Sequence, residues 1–465
     1  MRRTKLIATL GPATEAPGVL DALVADGLDV ARLNTSHAGP EALAAQLVAV
    51  RQAAARAGRH VAVMVDLSGA KIRLGEVAPG TVLEAGASFE LRAVGGTGDA
   101  SGATVSHSGL ADDVSPGDRV LLDDGRIELV VTSAEPGCVG TRVETGGPLA
   151  SRKGVNVPGV HLSVQGVTER DVTTLHWALD AGVDMVAQSF VRSADDIAGL
   201  RAHMGDRTVP VVAKIEKHEA VADLEAIVEA ADAVMVARGD LGVEVSPERV
   251  PVIQREIVAA CRAAGRPVIV ATQMLESMTV ARRPTRAEAS DVANAIFDVV
   301  DAVMLSGETA VGADPAHVLR TMSRIVSAAE EVVVDSPWHR QRSAADDVAA
   351  AVSRAVCELA EHLDVAAIVT ATQSGATARA VAAHRPRVPV LAATPDEAVA
   401  RRLALVWGVR PAVMGSYETI DEMIAAAAAV ARETGIAAAG ELIAVTGGVA
   451  VHVAGSTDLI QVHRV

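Results

Sequence analysis

The sequence predicts an α/β protein: a closed (β/α)8 TIM barrel that carries an inserted small β-barrel domain and is followed by a C-terminal α/β domain. Three observations predict it. Eight short apolar runs rich in Val, Ile, Ala and Met recur with helical segments between them. A stretch rich in Gly, Asp, Thr and Val interrupts the rhythm after the third run. A second α/β pattern takes over after about residue 335.

The runs are Leu6–Leu10, Leu28–Leu33, Val61–Leu67, Val183–Phe190, Val209–Ile215, Ala233–Ala237, Pro267–Ala271 and Ala302–Leu305. Most lack period-two alternation, the pattern of strands buried on both faces of a parallel sheet. Between them, Thr168-x-x-Asp171 and Thr285-x-x-Glu288 read as capping boxes. Ser246-Pro247 reads as an N-cap followed by Pro at the first helical position. Ala181-Gly182 and Ala264-Gly265 read as helix stops. Eight βα units imply a closed barrel; a doubly wound open sheet is the alternative.

Between Leu67 and Gly159, candidate strands Ser88–Ala93, Arg119–Leu122 and Ile127–Thr132 alternate with Gly/Pro/Asp turns. This reads as a small β domain inserted after the third barrel strand, standing over the barrel mouth as a lid. Beyond the barrel, a helix is expected over 345–362, with strands at Val365–Thr370, Val388–Ala392, Leu442–Thr446 and Leu459–His463. The expected domains are 1–67 with 159–335 (barrel), 68–158 (insert) and 336–465 (C-terminal).

Composition narrows the function. The 465 residues carry 58 acids against 42 bases, a net charge of −16, which argues against duplex DNA or an anionic membrane as main partner. Only seven aromatic side chains are present, too few for the stacking platforms of a single-stranded nucleic-acid binder. Cys138, Cys261 and Cys357 form no CxxC pair, which disfavours a disulfide scaffold or cysteine zinc site. No apolar run approaches the ~18–20 residues of a membrane span. The run after Lys5 is shorter than the ~7–15 residues of a secretory leader core. A soluble, cytoplasmic protein is expected.

In a (β/α)8 barrel, strand C-terminal ends converge on one mouth. Here they end in Arg32-Leu33-Asn34-Thr35-Ser36-His37, Asp66-Leu67-Ser68-Gly69, Gln188-Ser189, Lys214-Ile215-Glu216, Arg238-Gly239-Asp240, Thr272-Gln273 and Ser306-Gly307-Glu308. Glu216 and Asp240, on neighbouring strands, suit Mg²⁺, which prefers a few carboxylates and keeps positions for substrate oxygens. The alternative is that both acids are salt-bridged to Lys214 and Arg238. Lys214 is positioned to offset developing negative charge, and Arg32 and Arg73 suit bidentate phosphate contact. Thr272 and the N–H groups of Gly239 and Asp240 are donors for a substrate carboxylate. The set implies Mg²⁺-assisted phosphoryl transfer.

These residues carry a resemblance. Ala237-Arg238-Gly239-Asp240-Leu241-Gly242-Val243-Glu244, Lys214-Ile215-Glu216 and Ala271-Thr272-Gln273-Met274-Leu275-Glu276-Ser277-Met278 resemble segments of pyruvate kinases. So do Arg283-Pro284-Thr285 through Ala295, Met304-Leu305-Ser306-Gly307-Glu308-Thr309-Ala310 and Lys153-Gly154-Val155-Asn156. Thr4-Lys5, Gly11-Pro12-Ala13 and Val30-Ala31-Arg32-Leu33-Asn34 fit as well, so the likeness runs from residue 3 to the C-terminus. The resemblance implies transfer of the phosphoryl group of phosphoenolpyruvate to ADP, giving pyruvate and ATP in the final step of glycolysis. It implies that Arg32 holds the phosphoryl group, while Lys214 stabilises that group and then the enolate. Glu216 and Asp240 would bind Mg²⁺ (Mn²⁺ as a substitute), and Gly239, Asp240 and Thr272 the carboxylate. Asn34, His37, Arg73 and Lys153 would contact the nucleotide, and Ser306 would lie on the proton path to the enolate. A homotetramer is implied too.

The chain departs from the common family pattern after the third strand. Where that pattern has Asp-Thr-Lys-Gly-Pro-Glu-Ile-Arg, this sequence has Asp66-Leu67-Ser68-Gly69-Ala70-Lys71-Ile72-Arg73. In the common form Asn34, Ser36, Asp66 and the residue at 67 would surround K⁺. Lys71 replaces a nearby Glu, so a fixed ammonium stands in for the ion, as in the K⁺-independent branch; the alternative is a solvent-facing Lys71 with K⁺ still bound. In the last domain, Thr372, Ser374, Gly375 and Thr377 resemble the loop that holds an effector's phosphate. Gln373 stands where fructose-bisphosphate-activated members have Lys, which leaves AMP or a hexose monophosphate as candidates. The competing readings are another Mg²⁺-dependent enolate barrel enzyme and an inactive effector-binding paralogue.

Overall fold

The computed structural model describes residues 2–36, 38–333, 347–448 and 457–465. Eight parallel strands close into a barrel: β1 Lys5–Thr9, β2 Val30–Asn34, β3 Ala62–Leu67, β4 Met185–Val191, β5 Val211–Ile215, β6 Ala233–Ala237, β7 Val268–Ala271 and β8 Ala302–Leu305. β1 pairs with both β2 and β8, which closes the ring and excludes the doubly wound alternative. Alternation along each strand serves two cores. Leu6 and Ala8 face the helical ring, whereas Ile7, Met64, Met185, Met235, Ile269 and Met304 pack inside the barrel. Because both sets are apolar, the strands read as unbroken hydrophobic runs.

Both capping boxes form. Thr168 opens the helix Glu169–Asp180 and Thr285 opens Arg286–Phe297, each accepting a hydrogen bond from the N–H three residues on. Ala181 and Ala264 are C-caps, and Gly182 and Gly265 follow with left-handed φ of 70° and 65°. The expected start at Ser246-Pro247 is corrected: the helix runs Val250–Ala263, with Arg249 as N-cap and Pro251 in its first turn. Ser246 and Pro247 instead form preceding turns, their carbonyls accepting from Arg249 and Val250.

The insert leaves β3 at Leu67 and carries a six-stranded sheet. Its order is Val155–Asn156, Arg119–Leu122, Ile127–Glu135, Cys138–Thr145, Ser88–Arg92, Gly102–Thr104. Phe89, Leu91, Val120, Leu122 and Leu129 fill its own core. The chain pivots at Gly69, whose φ of 65° and tight approach to Ser189 and Phe190 exclude a side chain. Its N–H donates to Asp171, the capping-box acid of the next barrel helix, so this turn is tied to the barrel.

The last domain opens with the helix Val348–His362 and holds a five-stranded sheet: β9 Ala367–Ala371, β10 Val390–Thr394, β11 Val409–Val413, β12 Leu442–Gly447 and β13 Leu459–Arg464, in the order 11-10-9-12-13. Strand β11 was not anticipated; Arg410 and Pro411 interrupt its apolar character, and its edge position accommodates the proline. The expected boundary at 335/336 lies outside the described residues. Ala404 and Leu405 plug the bottom of the barrel, joining the cluster of Ile7 and Met235. Among the described residues, no helix is long and apolar enough to cross a membrane.

Candidate active site

The strand ends meet at the mouth of the barrel opposite that plug. At its centre, Lys214 Nζ lies 2.9 Å from Glu216 Oε1, 3.2 Å from Asp66 Oδ1 and 2.7 Å from Ser189 Oγ. Asp66 also accepts from Arg32 Nε at 2.6 Å, and Arg32 reaches Thr9 Oγ1 at 3.0 Å. Strands β1 to β5 therefore share one buried polar cluster. Burial raises the Asp66 pKa, but Lys214 and Arg32 outweigh it and hold the carboxyl below its ordinary value. Burial lowers that of Lys214, yet Asp66 and Glu216 more than compensate, so the ammonium keeps its charge. Glu216 goes the other way: burial and the charge of Asp240 raise its pKa against the pull of Lys214. Its second oxygen accepts the Phe190 N–H at 2.8 Å.

Glu216 and Asp240 thus bring two carboxylates together, the oxygen-donor chemistry of a hard divalent cation site, each met by one lysine. The residues fit Mg²⁺. Of the alternative pairing of the two acids, the contact of Glu216 with Lys214 is present, whereas Asp240 does not meet Arg238. Arg238 bonds Asp291 at 2.7 Å and the Thr272 carbonyl at 2.7 Å. Asp240 Oδ1 is met by Lys71 Nζ at 2.8 Å. Lys71 therefore faces the cleft rather than solvent, and Asp124 of the insert lies 3.9 Å away. Its charge is delivered to Asp240, not to the group expected to hold K⁺. In that group, Asn34 Oδ1 accepts the Ser36 N–H, Ser36 bonds Ser68, and Leu67 is buried between the barrel and its helices.

Gly239 N–H donates to Thr272 Oγ1 at 2.8 Å, and Thr272 donates in turn to the Ala271 carbonyl, so two of the groups expected to meet a carboxylate are joined to each other. Thr272, Gln273 and Phe190 hold left-handed φ of 68°, 54° and 57°, costly for residues with a Cβ and clustered at this mouth. Ser306 Oγ is buried without a hydrogen-bond partner among the described residues. A cleft of about 570 Å³ opens beside the cluster, walled by Lys71, Asp124, Arg238, Gly239, Asp240 and Gln273.

Arg73 and Lys153 are not on those walls. They lie on the insert, where Leu74 N–H donates to the Lys153 carbonyl. Arg73 bonds the Arg152 carbonyl and Lys153 pairs with Asp123 at 2.7 Å. His37 lies outside the described residues. Thr372 and Thr377 stand far below, in the C-terminal domain, around the start of the helix Ala376–Ala383. Three supports have no role in the sequence reading, although it places Ser189 and Glu308 at the mouth. Ser189 orients Lys214, Asp291 holds Arg238 against Thr272, and Glu308 accepts the N–H groups of Leu275 and Ser306 to join the loops after β7 and β8. Ser189 was readable as a strand-end hydroxyl; Asp291, on a helix, gave no signal.

Comparison with known proteins agrees with this geometry. Residues 1–319 match the pyruvate kinase barrel domain and residues 350–463 the pyruvate kinase alpha/beta domain. The chain is 43% identical to pyruvate kinase of Geobacillus stearothermophilus over 99% of its length and 80% of the relative's. Pyruvate kinase 2 of Synechocystis is 45% identical over 100% of this chain and 79% of the relative. Pyruvate kinase of Corynebacterium glutamicum is 44% identical over 99% and 97%. With both domains matched and these identities sustained from end to end, the chain belongs to the pyruvate kinase family and is a phosphotransferase.

Proposed function

We propose that the cluster around Lys214 carries out phosphoryl transfer between phosphoenolpyruvate and ADP, with the roles that follow. The observation that supports it most is the buried Lys214 ammonium held between Asp66 and Glu216 beside Arg32. Glu216 and Asp240 hold Mg²⁺, which when bound supplies positive charge to the oxygens of the moving phosphoryl group. Arg32 grips that group, its guanidinium fixed by Asp66 and Thr9. Lys214 offsets the charge of the transferring group and then of the enolate oxygen. The N–H groups of Gly239 and Asp240, with Thr272 Oγ1, hold the substrate carboxylate. Ser306 Oγ serves the proton path to the enolate carbon.

Arg73, Lys153, Asn34 and His37 contact the nucleotide once the insert swings over the mouth on its Gly69 pivot and excludes water. Activity does not require K⁺, because Lys71 brings a permanent charge to Asp240 and the Asp66 carboxylate is already balanced by Arg32 and Lys214. The enzyme works in the cytoplasm as a homotetramer. Thr372, Ser374, Gly375 and Thr377 hold the phosphate of an allosteric effector. A lactate-dehydrogenase-coupled assay with phosphoenolpyruvate, ADP and Mg²⁺ tests the reading. ADP-dependent pyruvate formation is expected without K⁺; none with or without K⁺ would overturn it.

A further inference from the structure

We infer that Glu244 is a positioning residue that ties the inserted domain to the two carboxylates proposed to hold Mg²⁺. The inference rests on the phosphoryl-transfer reading of the site. Glu244 closes the short helix Arg238–Glu244, four residues after Asp240 and therefore on the same helix face. Its side chain has no exposure to solvent. One oxygen, Oε1, accepts from two sides: from Lys217 Nζ at 2.6 Å and from Asn156 Nδ2 at 2.8 Å. Lys217 directly follows Glu216. Asn156 belongs to the insert, on the strand Val155–Asn156, and is itself buried. Three chain segments thus meet on one carboxylate: the loop carrying Glu216, the helix carrying Asp240 and the returning end of the insert.

Helix stability does not account for this carboxylate. A negative charge at a helix C-terminus opposes the macrodipole, and an unpaired buried carboxylate is costly. Lys217 supplies the compensating charge, and Asn156 adds a charge-assisted hydrogen bond from across the domain boundary. Glu244 Oε2 makes no hydrogen bond among the described residues, with His218 Nδ1 at 3.6 Å. The barrel and insert contacts therefore share a single oxygen, and a shift of either is felt by the other.

Lys71 gives the insert a second contact with this helix, at Asp240, 2.8 Å away. The outgoing and returning ends of the insert are joined, Val155 N–H donating to the Ile72 carbonyl at 2.9 Å. Asp240 is also a metal donor in the proposed reaction, so its hold on Lys71 is shared. Glu244 has no such second duty, and its contact with Asn156 is the steadier of the two. The joint is close-packed, with a cavity of only about 30 Å³ among Lys71, Asn156, Phe190 and Lys217. Displacement there is passed on rather than absorbed. The placement of Arg73 and Lys153, both on the insert, therefore depends on Glu244.

Two measurements on the full chain test this. In calorimetric titration with Mn²⁺ and no substrates, Glu244→Met should bind the ion at least tenfold more weakly than wild type, because Lys217 is released beside Glu216. Asn156→Ala should stay within threefold of wild type. In the coupled assay at saturating Mg²⁺, each variant should raise the KM for ADP at least fivefold. Asn156→Ala should move the KM for phosphoenolpyruvate less than twofold. The double variant should be no worse for ADP than the worse single variant, since both remove one contact. A merely structural role would lower the thermal midpoint without this split. Wild-type Mn²⁺ affinity in Glu244→Met, equal KM changes for both substrates in Asn156→Ala, or effects that multiply in the double variant would overturn the inference. Should Glu244→Met fail to fold, Asn156→Ala decides through its two KM values. Should wild type form no pyruvate, phosphoryl transfer itself fails, and the Mn²⁺ titration decides the role of Glu244 without turnover.

Discussion

Replacing Lys214 by Met removes the ammonium while keeping most of the side-chain volume. The geometry sets two separate costs. In the reaction, the loss of one preorganised donor at developing charge costs about 10²–10³ in kcat, about 2.7–4 kcal/mol. A full positive charge buried among Asp66, Glu216 and Arg32 belongs at the upper end of that range. We therefore expect kcat to fall about 10³-fold. The KM for phosphoenolpyruvate should move less than tenfold, because Arg32 and the donors of Gly239 and Thr272 remain. In the fold, removing one partner of a buried pair costs about 3–5 kcal/mol. Asp66 still has Arg32, so the unbalanced charge is Glu216, and Mg²⁺ should restore it. The variant's thermal midpoint should accordingly rise more on adding Mg²⁺ than that of wild type. The coupled assay at saturating substrates gives the first number, and thermal unfolding with and without Mg²⁺ the second. A Lys214→Met enzyme retaining more than a tenth of wild-type kcat would refute the role assigned to the ammonium.

Four further predictions follow from other parts of the structure. Lys71→Glu places a carboxylate beside Asp240 and should make the rate rise many-fold when K⁺ replaces tetramethylammonium; equal rates in both salts would contradict the proposal for Lys71. Gly69→Ala brings a Cβ to 2.7 Å from the Phe190 ring at a φ of 65°, so stability should fall by about 1–3 kcal/mol in a denaturant titration. An unchanged midpoint would mean that the pivot is slack. Thr285→Ala removes the hydroxyl that accepts the Glu288 N–H and should cost about 1 kcal/mol, read in the same titration; no loss would show that the cap carries no stability. Burial pushes the Cys357 thiol up to about 12 and the Cys261 thiol higher still. Thiolate is the reactive form and grows only as pH rises toward those values. At pH 8 the native protein should therefore expose at most Cys138 to a thiol reagent, and denaturant should release all three. Two fast-reacting native thiols would contradict the packing.

The barrel was legible because its strands are buried on both faces, so stretches such as Val61–Val65 and Val209–Ala213 carry no polar residue before the charged one that follows at the strand end. The site was legible where chemistry sits at strand ends, as with Arg32, Lys214, Glu216 and Asp240. Pairing was not legible. Asp240 meets Lys71 only because the insert folds back over the mouth, and Arg238 meets Asp291 only through the following helix packing. No periodicity encodes either contact. Strand β11 was missed because Arg410 and Pro411 break its pattern, and an edge strand tolerates what a central one does not.

Phe190, Thr272 and Gln273 hold a backbone shape that side chains bearing a Cβ adopt at about 1–2 kcal/mol each. Glycine would relax each position, so selection for heat resistance alone would find gains there. Those gains would come from the residues that turn the strand ends toward substrate. An evolving lineage of this enzyme is therefore expected to acquire thermal tolerance through its helices, insert and domain contacts, leaving these three bends under tension.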